Sequence, residues 1–89
     1  MTGRPDPGSW TRQRLRDELA SQQRPSAHYL FLPGPDAAIN PEGCIVTEHR
    51  DGRVRVYNVD RGNRDVRWFD DEAKAIEYVI RRYVWWEDV

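Results

Sequence analysis

The most reactive side chains in this sequence are one thiol and two imidazoles, those of Cys44, His28 and His49. A cysteine becomes a nucleophile when a histidine lies within hydrogen-bonding reach as its base. Because side chains alternate between the two faces of a strand, Cys44 would share a face with Val46, and His49 would point to the other face. We therefore expect Cys44 to be a small core residue. One cysteine and two distant histidines lack the spacing of zinc ligands, so we expect no metal and no cofactor.

Acidic residues form two short clusters, at residues 70–72 and 87–88. The first is typical of a helix start, where carboxylates cap the backbone and interact favourably with the helix dipole. The second is typical of an exposed tail. The sequence also has no glycine-rich phosphate loop, nucleophile elbow or HExxH motif. We therefore expect no catalytic residues and a protein that is not an enzyme.

Arginine and tyrosine alternate with valine in residues 53–57. This places Arg53, Arg55 and Tyr57 on one face of a strand, which we expect to be exposed, with Arg67 nearby. Such a face can hold phosphates and stack on bases, which makes a small nucleic-acid-binding protein the alternative function. Residues 31–69, however, contain six arginines and six acidic residues, whereas nucleic-acid sites show a basic excess. A protein partner is therefore the first expectation.

Two adjacent tryptophans, Trp85 and Trp86, lie near the end of the sequence. Neighbouring residues cannot both face one core from one side of a helix, so we expect one to close the core and the other to be partly exposed. The sequence leaves open whether both only pack, or whether one anchors a protein partner or a second copy in a homodimer. The candidate partner-binding residues are Trp85, Trp86, Tyr57, Arg53, Arg55 and Arg67.

The length of 89 residues corresponds to one domain. The mean hydropathy of -0.90 is low, but four Trp, four Tyr and two Phe can each bury about 150–250 Å² and build a core. We expect a flexible arm at residues 1–8 and a folded domain at residues 9–89. The chain contains neither a membrane-spanning apolar stretch nor the apolar segment of a signal peptide, so we expect a cytoplasmic protein.

The clearest element is a β-hairpin, in which segments 44–50 and 53–59 flank Asp51-Gly52, a dipeptide that suits a type I′ turn. A third strand is expected at residues 64–69. Ser9 predicts the start of a first helix over residues 10–22, and Asp70 predicts the start of a last helix. Residues 28–32 are either a strand or a packed extended segment.

These elements predict an α+β domain: a three- or four-stranded antiparallel meander packed by the C-terminal helix, with the N-terminal helix alongside. An open meander needs such a helix because its apolar face must be covered. The residues that we expect in the core are Leu15, Leu19, Val46, Val54, Val56, Trp68, Ile76, Val79 and Ile80.

Residues 54–83 resemble the small immunity proteins of bacterial polymorphic-toxin systems. The similarity lies in a strand that ends at Asp60 and is followed by Arg-Gly, a short strand that ends at Phe69, and an acidic helix start that leads to Ala73. It departs from the family pattern at Asp60, where a glutamate is more usual. The resemblance implies a non-enzymatic protein that blocks a co-encoded toxin by direct binding through acidic or aromatic surface residues.

Overall fold

The computed structural model describes residues 10–89 of the chain. Two helices and four strands form an α+β fold, and the last helix continues as a single π-helical segment, Ile80–Val84. The elements are α1 (Arg12–Ser21), β1 (Tyr29–Leu32), β2 (Ile45–Arg50), β3 (Arg53–Val59), β4 (Asn63–Phe69) and α2 (Glu72–Val79). Within residues 10–89, no helix has the length and apolar character required to cross a membrane.

The strands form one sheet in the order β1-β2-β3-β4. Strands β2, β3 and β4 pair antiparallel, which confirms the predicted meander. The segment that the sequence left open is a strand, but β1 pairs parallel with β2, so the sheet is mixed. A parallel neighbour requires a connection of about a dozen residues, and residues 33–44 provide it. Asp36 of this connection accepts a hydrogen bond from the Phe31 amide at 2.9 Å.

The turn between β2 and β3 has the predicted geometry. Asp51 and Gly52 have φ angles of 55° and 78°, and a type I′ turn requires positive values at both central positions. The turn fixes the hairpin register, in which Arg50 stands directly opposite Arg53. This register determines which charged side chains become neighbours at the turn end of the sheet.

The main core lies between the two helices and one face of the sheet. Leu15 and Leu19 of α1 and Ile76 of α2 pack there with Val54 and Val56 of β3. Val79 and Ile80 complete this cluster, and Val46 is buried in a second cluster on the sheet. The core prediction is confirmed for these residues. It is wrong for Trp68, whose side chain is 39 % exposed.

Both helix starts differ from the predicted positions by one or two residues. Ser9 lies outside the described residues, and α1 is capped by Thr11, whose hydroxyl accepts a hydrogen bond from the Arg14 amide at 3.2 Å. At α2 the cap is Asp71, not Asp70, because the Asp71 carboxylate accepts from the Lys74 amide at 2.9 Å. Adjacent aspartates are equally suitable caps by type, so only the chain path decides between them.

Glu72 connects three elements of the fold. Its carboxylate accepts hydrogen bonds from Arg12 of α1 at 2.8 and 3.0 Å and lies 2.6 Å from Nε2 of His49 on β2. The Arg12 hydrogen bond makes the largest contribution to a pKa of Glu72 below its ordinary value of 4.5, and His49 adds to it. A carboxylate whose pKa is lowered by folding stabilises the fold above the unfolded-state pKa.

Replacing Glu72 with glutamine should therefore make the free energy of unfolding depend less on pH in the acid range. In the wild type this contribution is fully present above about pH 4.5 and is lost as the pH falls through the lower folded-state pKa. Urea unfolding between pH 7 and pH 3 measures the effect, with Glu77→Gln on the same helix as the control. If the free energy of unfolding of Glu72→Gln fell with pH as steeply as that of the wild type, Glu72 would not be the source of this pH dependence.

Candidate protein-binding surface

The sheet carries a second hydrophobic cluster on the face opposite the main core. It contains Leu30, Cys44, Val46, Tyr57 and Val59. These residues alternate along their strands with those that meet the helices, so they point to the other side of the sheet. No residue of α1 or α2 belongs to this cluster. We call this side of the sheet the helix-free face.

Tyr57 is a packing residue of the helix-free face. Its side chain is 6 % exposed, so it cannot present a ring to a partner as the sequence pattern predicted. Its hydroxyl donates to Oε1 of Glu48 at 3.3 Å, and Nε of Arg55 donates to the same oxygen at 2.6 Å. Burial, followed by the neighbouring Glu48 carboxylate, raises the pKa of the Tyr57 phenol. The residue therefore stays neutral and supports the arginine beside it.

Trp68 is the exposed aromatic residue of this face. It stands opposite Arg55 in the β3–β4 register. The guanidinium carbon of Arg53 lies 4.6 Å from its ring centroid, and that of Arg55 lies 5.8 Å away. Both distances are within the range of cation–π attraction. An indole between two guanidinium groups combines the residue types that most often dominate protein interfaces.

Arg50 completes what we call the arginine–tryptophan patch: Arg50, Arg53, Arg55 and Trp68. Arg50 and Arg53 are exposed and directly opposite each other on neighbouring strands. Cross-strand partners share a face, and like charges in such a pair are destabilising. Among residues 10–89, neither arginine forms an ion pair, whereas Arg55 is paired with Glu48. Within the described part of the chain, the patch thus holds two guanidinium groups without an ion-pair partner.

Replacing Arg50 with glutamate should stabilise the fold, because it converts a repulsive cross-strand pair into an attractive one. We expect the free energy of unfolding to rise by roughly 0.2–1 kcal/mol. Urea unfolding at low salt measures the gain. Arg64→Glu is the matched control, since it makes the same charge change opposite the neutral Asn58. A gain of equal size in both variants would indicate a general charge effect and contradict the local pairing.

Arg67, by contrast, does not belong to the patch. It stands opposite Val56, and its guanidinium carbon lies 5.7 Å from the ring centroid of Tyr78 on α2, so it lies on the helix side. The cause is a β-bulge in β4. Two residues separate Arg64 from Arg67, whereas only Tyr57 separates Asn58 from Val56, the residues of β3 with which they pair. Asp65, within the bulge, has a φ of 53°. A one-residue shift moves every following side chain of the strand to the opposite face of the sheet. Arg67 therefore lies on the helix side, and Trp68 lies on the helix-free face.

The two terminal tryptophans have different environments. Trp85 packs edge-to-face with Trp10 at 6.0 Å, and its indole N–H donates to Glu18 at 2.8 Å. Trp86 is 69 % exposed, with the guanidinium carbon of Arg24 5.3 Å from its ring. The expectation that one closes the core and the other is exposed is confirmed. Trp85 is therefore a structural residue, and Trp86 is a second exposed indole outside the patch.

The free edge of the sheet is less suited to binding than its face. Strand β4 is exposed over most of its length. It also carries the bulge and the charged residues Arg64, Asp65 and Arg67, and both features deter pairing with another strand. A homodimer through this edge is accordingly disfavoured. The exposed aromatic group that the strand offers is Trp68, which lies on the helix-free face.

The residues considered for chemistry at the outset lie apart. Cys44 is 6 % exposed in the second cluster, while His49 contacts Glu72 on the helix side of the sheet. Across the described part of the chain, no group of three His, Cys, Asp or Glu residues is arranged to hold a metal ion. The arginine–tryptophan patch is therefore the feature with the clearest capacity for recognition.

Comparison with known proteins adds no relative to this description: no family model, curated protein or solved structure matches the chain. The geometry of the helix-free face is consequently the basis for a functional assignment.

Proposed function

We propose that this chain is a non-enzymatic protein-binding module whose partner docks on the arginine–tryptophan patch. One observation supports this most strongly. Trp68 is 39 % exposed beside two guanidinium groups, on the face to which neither α1 nor α2 contributes a core residue. A tryptophan fully buried by a partner contributes far more to binding than a typical interface residue.

The first partner to test is a protein toxin. Arg55 and Trp68 both lie within residues 54–83, the segment that resembles small immunity proteins of polymorphic-toxin systems. The aromatic residue of the patch agrees with the aromatic contacts that the resemblance implies. We place the interaction in the cytoplasm as part of the same proposal.

Nucleic acid fits the patch less well than a protein does. Arg55 is already paired with the carboxylate of Glu48 at 2.6 Å, so only Arg50 and Arg53 of the patch remain for contacts with a phosphate backbone. Tyr57 is buried and cannot stack on a base. Arg67, which the sequence placed on the same surface, lies on the other side of the sheet. These contacts leave one aromatic ring and two arginines that form no ion pair among residues 10–89, too little for a stacking platform along a strand.

Affinity capture with the full chain tests the proposal. Wild type, Trp68→Ala and Trp86→Ala are immobilised in parallel, and each is exposed to lysate of the source organism with and without nuclease. We expect wild type and Trp86→Ala to retain one protein in stoichiometric amount, with or without nuclease. Trp68→Ala should not retain this protein. Retention by Trp68→Ala with loss from Trp86→Ala, or recovery of nuclease-sensitive material alone, would contradict it.

A further inference from the structure

Two positive charges of the patch, those of Arg50 and Arg53, have no ion-pair partner among residues 10–89, and they indicate the chemistry of the partner. Arg50 and Arg53 are an exposed cross-strand pair of like charge, placed on a two-residue turn that keeps them together. Arg12 and Arg81, by comparison, lie beside the acids Glu72 and Glu87. Arg50 and Arg53 have no ion-pair partner among residues 10–89, and an anionic ligand would remove the repulsion between them.

The position of Arg53 suits an anion of carboxylate type. Its guanidinium carbon lies over the indole of Trp68, 4.6 Å from the ring centroid. The N–H donors of arginine lie at the edge of the guanidinium plane, and a group that uses its flat face against an aromatic ring can still bind the two oxygens of a carboxylate. The indole also restricts the guanidinium's motion, which lowers the entropy cost of binding.

The patch already contains one example of this contact. Nε of Arg55 donates to Oε1 of Glu48 at 2.6 Å, and both side chains are only 19 % exposed. Arg55 lies in the same strand as Arg53, two residues further on, and its guanidinium approaches the same indole. The chain's own Glu48 is thus bound, through one hydrogen bond, by an arginine that approaches the Trp68 ring. Arg50 and Arg53 are available to bind a partner's carboxylate in a similar way.

From these contacts we infer that the arginine–tryptophan patch recognises carboxylate side chains, and that the partner docks through an acidic protein segment. The inference rests on the proposed function and specifies its partner. Arg50 and Arg53 bind the carboxylates, and Trp68 provides the apolar surface beside them. A phosphate backbone is the competing ligand, and the experiment separates the two.

The test is an NMR titration of the full chain at low salt, which follows the arginine Nε–H and tryptophan indole N–H signals. The probes are a short oligoglutamate peptide, an oligolysine peptide of equal length and a short oligothymidylate. Arg50→Gln/Arg53→Gln is compared with Arg64→Gln/Arg67→Gln. Both double variants lose two positive charges, but only the first pair lies in the patch.

We expect oligoglutamate to shift the signals of Arg53 and Trp68, and the Arg50→Gln/Arg53→Gln variant to bind it about tenfold more weakly or worse. The Arg64→Gln/Arg67→Gln variant should bind within about twofold of wild type, because exposed charges outside the site contribute little. Oligolysine should not bind. Arg50→Glu, which should stabilise the fold, should abolish the oligoglutamate shifts.

Three results would overturn the inference: no binding of oligoglutamate, equal weakening in both double variants, or tighter binding of oligothymidylate at Arg50 and Arg53. The last would assign the patch to nucleic acid. The proposed function fails separately, when Trp68→Ala still captures the protein partner. If Trp68→Ala loses that partner while Arg50→Gln/Arg53→Gln keeps it, the patch binds protein but not through carboxylates.

Discussion

Replacing Trp68 with alanine should weaken binding of the captured partner by more than about 2 kcal/mol, which is roughly 30-fold in Kd. The indole is the exposed aromatic group of the helix-free face, and the guanidinium carbons of Arg53 and Arg55 lie 4.6 and 5.8 Å from its ring centroid. Its removal takes away both the apolar contact and the ring against which Arg53 and Arg55 lie. Isothermal titration with the purified partner measures the loss.

The same substitution should change the free energy of unfolding by less than about 1 kcal/mol, because Trp68 is on an edge strand and is already 39 % exposed. Trp86→Ala is the matched control, since it removes an indole that is even more exposed, at 69 %, outside the patch. Unchanged affinity in Trp68→Ala, with the fold intact, would exclude the patch as the binding site.

Replacing Tyr57 with alanine should lower the free energy of unfolding by about 3 kcal/mol, the loss typical of deleting a buried aromatic side chain. Tyr57 packs with Leu30, Cys44, Val46 and Val59, and this cluster receives no side chain from either long helix. The remaining residues are too small to fill the space of the lost ring. Urea unfolding of the variant measures the change.

Tyr57→Phe separates the ring from its hydroxyl. The hydrogen bond to Glu48 is long, at 3.3 Å, so its loss should cost less than about 1 kcal/mol, and partner affinity should be unchanged. If Tyr57→Ala instead kept wild-type stability and lost the partner, Tyr57 would be a contact residue, as the sequence pattern predicted.

Local signals were strong enough to predict most of the elements. Asp51-Gly52 determines a turn type and therefore a register, and the alternation of valines in β3 identifies the buried face. The helical spacing of Ile76, Val79 and Ile80 identifies the face of the last helix that packs on the sheet. Each of these predictions depends on residues that are close together in the sequence.

The candidate site was harder to predict because its composition depends on a backbone irregularity. In a regular hairpin from Asn63, Trp68 would face the core and Arg67 would lie beside Arg55. The bulge at Asp65 reverses both. Aspartate tolerates a positive φ better than most residues, but its presence at position 65 does not by itself indicate a bulge. The parallel pairing of β1 also depends on contacts distant in sequence, which no local pattern encodes.

A single NMR spectrum can show whether the partner binds at Trp68. The four tryptophans report on different places: Trp10 and Trp85 pack together at the core, Trp68 lies in the patch, and Trp86 is exposed elsewhere. The experiment is a ¹H–¹⁵N spectrum of the full chain, recorded as the captured partner is added. We expect the indole signal of Trp68 to shift strongly and that of Trp86 to stay in place. The signals of Trp10 and Trp85 should also stay in place, which would show that the fold is unchanged. A shift of Trp86 with an unmoved Trp68 signal would contradict the assignment of the helix-free face as the binding surface.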